Sequence, residues 1–209
     1  MPSWSIHLEA GNRIADKLKF SPEKRKEFLV SCILPDINNG YVNNPHIHKE
    51  HCETHYVDGR DPIQNFYKEN ETEIENRDPI FLGYLFHLYT DCTFNQDFEK
   101  RIEGHSISKK TETEQENIKH NDFWLYGTNF YHVLNITPDE AATFAKKACK
   151  IKPVEINADD ILEVADIIRI NKINDAIKDN EYIVYTKEDF DQLLEIVCED
   201  FAKKYLEKV

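Results

Sequence analysis

His87 and Asp91 lie four residues apart in FLGYLFHLYTD (81–91), a stretch otherwise dominated by Phe, Leu and Tyr. On a helix, residues i and i+4 stack on one face. An imidazole and a carboxylate would then leave an apolar surface in the same direction. An unpaired buried carboxylate is costly, so the spacing predicts that both side chains turn inward and share an ion. Helical bundles build internal zinc or di-metal sites from such groups on facing helices.

The other candidates are scattered. His7 is followed at i+3 and i+4 by Ala10 and Gly11, small residues that admit either an ion or a close helix crossing. Asp36, in ILPDI, either caps the next turn or turns inward to a metal. His46, His48, His51 and His55 share the segment 37–60. His55 is the preferred ligand among them and His51 the next, because a helical turn would place it on the same face. His46 and His48 are expected at the surface or on a pocket rim. His120 stands two residues before Asp122, and both are expected to line the cavity of His7 and His87, as ligands or as partners of ligands. The competing reading makes Asn121 or Asp122 an ordinary N-cap.

The elements that must position these residues read as helices. Residues 5–18 are amphipathic. Ser21-Pro22, Asp61-Pro62, Asp78-Pro79 and Thr137-Pro138 each combine a capping side chain with a proline suited to the first helical position. They open helices that run to about residue 33, to 68, through the 81–91 motif, and over 138–150. Further helices are expected near 121–133, 158–179 and 187–207. Residues 37–60 read as a long loop, and the polar run 103–119 as a mobile surface loop. The one strand-like run, YIVY (182–185), has no evident partner. The expected fold is all-α, a single-domain multi-helix bundle over residues 1–209 with an internal metal site. In the C-terminal third, Leu162, Ile167, Ile168, Leu193, Leu194 and Val197 read as packing surface.

Composition limits the chemistry. The chain has 26 Lys+Arg against 39 Asp+Glu, a formal net charge of −13. That field opposes binding to nucleic acid and adsorption to anionic lipid, and a phosphorylated substrate would need local cations to offset it. No apolar run has the length of a signal peptide or a membrane span, which predicts a cytoplasmic protein with no stable membrane anchor. The five cysteines contain no CxxC pair and are expected to be reduced. No Gly-rich phosphate loop or GxSxG elbow is present.

Four segments in order, WSIHLEAGNRIAD (4–16), LPD (34–36), THYVDGRDPIQNF (54–66) and FLGYLFHLYTD (81–91), resemble the zinc-dependent phospholipase C family, in particular its short, unsecreted intracellular branch. The resemblance covers roughly the first half of the chain. It implies an all-helical fold and metal ligands at His7, Asp36, His55, His87 and Asp91, with Asp91 able to bridge two ions. The sequence departs from the family in two places. Trp4 follows Met1-Pro2-Ser3, whereas secreted members use the amino group of a mature N-terminal tryptophan as a ligand. The family's third site needs a histidine where Gln96 and Asp97 stand and a glutamate that the His120 region lacks. Two zinc ions are therefore expected, although other divalent metals would suit these ligands.

Two ions about 3.5–4 Å apart would acidify a bridging water and stabilise an in-line displacement at phosphorus. Asp36 is the candidate to orient that water or accept its proton. The resemblance thus implies a zinc-dependent phosphoric ester hydrolase acting on a small phosphorylated substrate or a phospholipid head group. The alternatives are a catalytically degenerate, metal-stabilised helical binding protein, or a His-Asp type nucleotide phosphohydrolase, although no adjacent His-Asp pair occurs in the sequence.

Overall fold

The structure is a computed structural model that describes residues 2–41, 47–57, 61–170 and 181–207. Among them the regular elements are helices, with no strand. In chain order they are α1 (Trp4–Leu18), α2 (Pro22–Ser31), α3 (Leu34–Asp36), α4 (His51–Thr54), α5 (Pro62–Glu69), α6 (Glu71–Glu75), α7 (Pro79–Ile102), α8 (Glu112–Gly127), α9 (Pro138–Ala148), α10 (Ala158–Ile170) and α11 (Lys187–Phe201). A π-helical turn, Ile37–Tyr41, follows α3, and another, Ala202–Leu206, follows α11.

The cap-and-proline pairs start helices where expected. Ser21 Oγ accepts from the Lys24 amide, Asp61 from Ile63 and Gln64, Asp78 from Ile80, and Thr137 from Glu140. Each pair satisfies an amide that the first helical turn would leave without a partner.

Helix α7 is the central element. It buries Phe81, Leu82, Leu85, Phe86 and Leu88 together with His87 and Asp91, and it packs against α1, α2, α5 and α11. Its closest approach is to α2 at Gly83, where an added Cβ would lie 2.5 Å from the Phe28 carbonyl oxygen. Ser31 Oγ, on α2, donates to the Ile80 carbonyl beside that crossing. At Gly11 an added Cβ would meet Cys32 Sγ at 3.0 Å. The small residues after His7 therefore serve the crossing of α1 with the end of α2, and the room they make is filled by protein. In the C-terminal third Ile168, Leu193, Leu194 and Val197 are buried, while Leu162 is packed at the core's edge.

Several segments differ from their sequence reading. The polar run 103–119 contains a 3₁₀ turn, Ser106–Lys109, and the first half of α8. Thr111 and Glu114 form a reciprocal capping box that starts α8, so the run's polarity reflects solvent exposure of a helix. The helix expected near 121–133 accordingly begins earlier and ends at Gly127. The strand-like residues 182–185 are not in a strand, and the amides of Ile183, Val184 and Tyr185 donate to the Asp122 carboxylate. The segment 37–60 is not a continuous loop, since it holds the π-helical turn and α4. Residues 171–179 of the helix expected over 158–179 lie outside the described residues.

Candidate metal centre

Four elements meet around one buried point. α1 brings His7, the end of α3 brings Asp36, the residue after α4 is His55, and α7 brings His87 and Asp91. Their exposures are 0%, 2%, 3%, 0% and 5% respectively.

Local structure aims each side chain. His87 and Asp91 are stacked on α7 as their spacing requires, and His87 Nδ1 donates to the Cys32 carbonyl at 2.8 Å, leaving Nε2 to face the cluster. Asp36 is turned inward where the chain leaves α3, and its Oδ2 accepts from Trp4 Nε1 at 2.9 Å. At His55 the chain reverses. Tyr56 adopts φ 56°, and the Val57 amide reaches back to the Cys52 carbonyl at 2.9 Å. Glycine usually occupies that left-handed position at a helix end. A tyrosine is held there because its ring packs edge-on against Phe66, with centroids 5.2 Å apart, and against Tyr84 at 6.3 Å. Tyr84 also donates its hydroxyl to the Thr54 carbonyl, pinning the backbone before His55.

Three ligand-type atoms face one another, His55 Nε2, His87 Nε2 and Asp91 Oδ2, with Asp36 Oδ1 beside the two histidines. His55 Nε2 lies 3.2 Å from His87 Nε2 and 3.4 Å from both Asp36 Oδ1 and Asp91 Oδ2. His87 Nε2 lies 3.3 Å from Asp91 Oδ2 and 3.9 Å from Asp36 Oδ1. Ligands held tetrahedrally at zinc distances of about 2.0–2.1 Å are separated by about 3.3–3.4 Å. The second oxygen of Asp91, Oδ1, lies 3.2 Å from His7 Nε2, and the His7 ring stacks on His87 with centroids 4.1 Å apart.

The electrostatics suit a cation. Asp36 Oδ1, Asp91 Oδ1 and both ring nitrogens of His7 are buried without a hydrogen-bond partner, an expensive arrangement unless lone pairs serve another purpose. Burial pushes the Asp91 carboxyl up, but His87, His55 and His7 outweigh it and hold Asp91 well below the usual carboxylate range. Burial likewise opposes ionisation of Asp36, yet His87 and His55 pull it below its ordinary value. Burial and the neighbouring His87 lower His7, so it meets Asp91 as a neutral imidazole, the form that binds metals. His55 is raised to about 9, because hydrogen bonds and charges from Asp36 and Asp91 outweigh its burial.

Two sequence candidates stand elsewhere. His120 is on the surface of α8, its side chain 59% exposed and 3.6 Å from Glu116. Asp122 is fully buried, but Oδ1 accepts from the Ile183 amide at 2.9 Å, and Oδ2 from Val184 and Tyr185 at 2.8 and 3.1 Å. Its lone pairs are spent on backbone, so it has none to offer an ion. Asp122 is not the helix N-cap either, since α8 starts at Thr111. Among the loop histidines, His48 is exposed, and His46 lies outside the described residues. His51 is exposed and stacks flat on His55, with centroids 3.8 Å apart. Desolvation of the ring face that lies against His55, together with the His55 charge, lowers its pKa.

Sequence reasoning missed the residues that hold the candidate ligands from behind: the Trp4 indole on Asp36, the Cys32 carbonyl on His87, and Thr54 and Asn39 on His55. A backbone carbonyl has no sequence signature, and the pairing of residue 4 with residue 36 depends on tertiary packing. The neighbours of His55 were within reach, since Thr54 is adjacent to it.

Among the described residues no helix is long and apolar enough to cross a membrane. Comparisons with curated proteins and with solved structures return no match. A family model described as zinc dependent phospholipase C, however, matches residues 6–206. The match takes in α1 through α11, including every element around the buried His/Asp cluster, and the chain belongs to the zinc dependent phospholipase C family.

Proposed function

We propose that this protein is a zinc-dependent phosphoric ester hydrolase, with one metal held by His55 Nε2, His87 Nε2 and Asp91 Oδ2, its fourth position open to water and Asp36 Oδ1 beside it. The observation that supports it is the spacing of these three atoms, 3.2, 3.4 and 3.3 Å apart in a buried cluster, which matches ligands held tetrahedrally by zinc. His87 belongs to two possible ligand triads, with His7 and Asp36 or with His55 and Asp91. Only its Nε2 is free of the backbone, so it completes one at a time. We assign it to the His55 side. His7 Nε2 and Asp91 Oδ1 then begin a second cation position, with Asp91 between the two.

Zinc bound there would supply Lewis acidity, lowering the pKa of a water and offsetting phosphoryl charge. The surrounding residues have separable tasks. His87, fixed by the Cys32 carbonyl, presents a bare nitrogen. Trp4 steadies Asp36 Oδ2, which would leave Oδ1 to accept the proton of a water at the open position. The cluster's local positive charge would admit a phosphate against the chain's net charge of −13. The substrate class we propose is a phosphodiester or phosphomonoester, either a phospholipid head group or a small phosphorylated compound. The buried apolar residues form one cluster running from Ile6 to Ala202, which supports treating residues 1–209 as one domain.

The same low exposure would also suit a metal that only ties helices together. Elemental analysis combined with turnover of p-nitrophenylphosphorylcholine and a panel of phosphomonoesters separates the two. Bound zinc with turnover that stops on chelation is expected. Bound zinc with no turnover on any ester would establish the structural role, and no bound zinc would remove the metal centre.

A further inference from the structure

We infer that Asn39 and Thr54 form a directed hydrogen-bond relay, running from the Pro35 carbonyl to His55 Nδ1, that holds His55 as the tautomer able to bind metal through Nε2. The inference rests on the metal-centre reading above and adds to it two positioning residues and a coupling between Asp36 and His55.

The direction follows from the one group whose role is fixed. The Pro35 carbonyl can only accept, and Asn39 Nδ2 lies 3.0 Å from it. A flipped amide would set two acceptors against each other, so the nitrogen end must face Pro35. Asn39 Oδ1 is then the end 3.1 Å from Thr54 Oγ1. That oxygen can only accept, so the threonine proton goes to it. Thr54 Oγ1 is left with lone pairs toward His55 Nδ1, 3.0 Å away, and Nδ1 must carry the hydrogen. Nε2, which faces Asp36 and Asp91, is then the nitrogen with a lone pair when the ring is neutral. The other amide hydrogen of Asn39 is 3.4 Å, measured from Nδ2, from the same Nδ1. That longer contact would require the opposite tautomer.

His87 reaches the same state through a backbone carbonyl, which no substitution of a side chain removes. His55 depends on two side chains, and one of them stands on the π-helical turn that directly follows Asp36. Displacing that turn would therefore disturb two site residues together, Asp36 by position and His55 by tautomer. Thr54 itself is 1% exposed, so its contact with His55 is shielded from competing water, while Asn39 is partly buried.

The test is zinc affinity, measured by competition with a chromogenic chelator, for the wild type, Thr54→Val, Thr54→Ser, Asn39→Leu and the Thr54→Val/Asn39→Leu double variant. Partners that orient metal ligands are worth about 10- to 100-fold in affinity, and Thr54→Val should weaken binding by that factor. Thr54→Ser keeps the hydroxyl and should stay within about threefold of wild type, by the same scale. Asn39→Leu should weaken binding by about threefold to tenfold, because the threonine proton can turn to the His51 carbonyl, 3.4 Å away. The double variant should be no weaker than Thr54→Val, since both changes break one relay. Wild-type-like affinity for Thr54→Val, or losses that multiply in the double variant, would overturn the inference. Should Thr54→Val not fold, wild-type affinity in Asn39→Leu, or lost affinity in Thr54→Ser, overturns it instead. A wild type that binds no zinc would count against the metal centre itself.

Discussion

Asp91 and Asp122 are both buried aspartates on helices, at 5% and 0% exposure, and each has a histidine close by in sequence. Their surroundings differ in who supplies the partners. Asp122 receives three backbone amides from residues 183–185, with the Asn121 side chain as a further donor. Among the described residues Asp91 receives no backbone amide and faces imidazoles from three elements, one of its oxygens lacking any hydrogen bond. Saturation by amides makes a buried carboxylate a structural clamp, here tying the 182–185 segment to α8. Imidazoles and bare lone pairs leave capacity for a cation.

The largest test of that contrast is Asp91→Asn. Partners of ligands are worth about 10- to 100-fold, and a ligand between two cation positions should exceed them, so zinc affinity should fall by more than about 100-fold. Isothermal titration that finds wild-type affinity in this variant would falsify the cluster as the zinc site. Asp122→Ala should act on folding alone. Amide bonds to a charged acceptor are worth about 1.5–3 kcal/mol each, and water can replace part of that near exposed Ile183, so a net loss of about 3 kcal/mol is expected in denaturant unfolding. Zinc per folded molecule should stay at the wild-type value. Loss of zinc from a folded Asp122 variant would erase the distinction between the two aspartates.

Proton linkage sharpens the comparison further. In the metal-free protein, against the effect of burial, the carboxylates of Asp36 and Asp91 raise His55 from its ordinary 6.5 to about 9. Its contribution to stability is fully present below about 6.5 and is lost as the pH rises through about 9. Zinc must displace that proton, so affinity should rise by about tenfold per pH unit through the neutral range and level off near 9. Chelator competition between pH 6.5 and 9 measures the slope, and a flat profile would mean that His55 is not a ligand. The smallest effect belongs to His120→Ala, a surface change expected within about 0.5 kcal/mol in stability and with unchanged zinc content. Zinc lost from that variant would bring α8 back into the centre.

Much of the helical plan was legible in the residues because helix starts are local events. Ser21-Pro22, Asp61-Pro62 and Asp78-Pro79 satisfy their own first-turn amides, and no distant contact is needed to read them. The start of α8 carries an equally local signal in Thr111 and Glu114, but the polar composition around it is shared by exposed helices and by loops, so composition alone does not reveal it. YIVY has strand-forming residues, but a strand requires a partner strand, and the partner of its amides is a carboxylate on α8.

The sequence by itself determined that His87 and Asp91 share a face, since the pitch of the α-helix sets the direction of residues four apart. It also determined, through the four matching segments, that His7, Asp36 and His55 were candidates to join them. Only the tertiary structure decided that these three meet at that face and that Asp122 does not. Both outcomes turn on where amides and imidazoles from distant segments come to rest. The crossing of α2 and α7 at Gly83 sets the approach of the central helices, and the reversal at Tyr56 aims His55. Spacing along one helix is written in its pitch, whereas the distance between helices is the result of how the whole core packs.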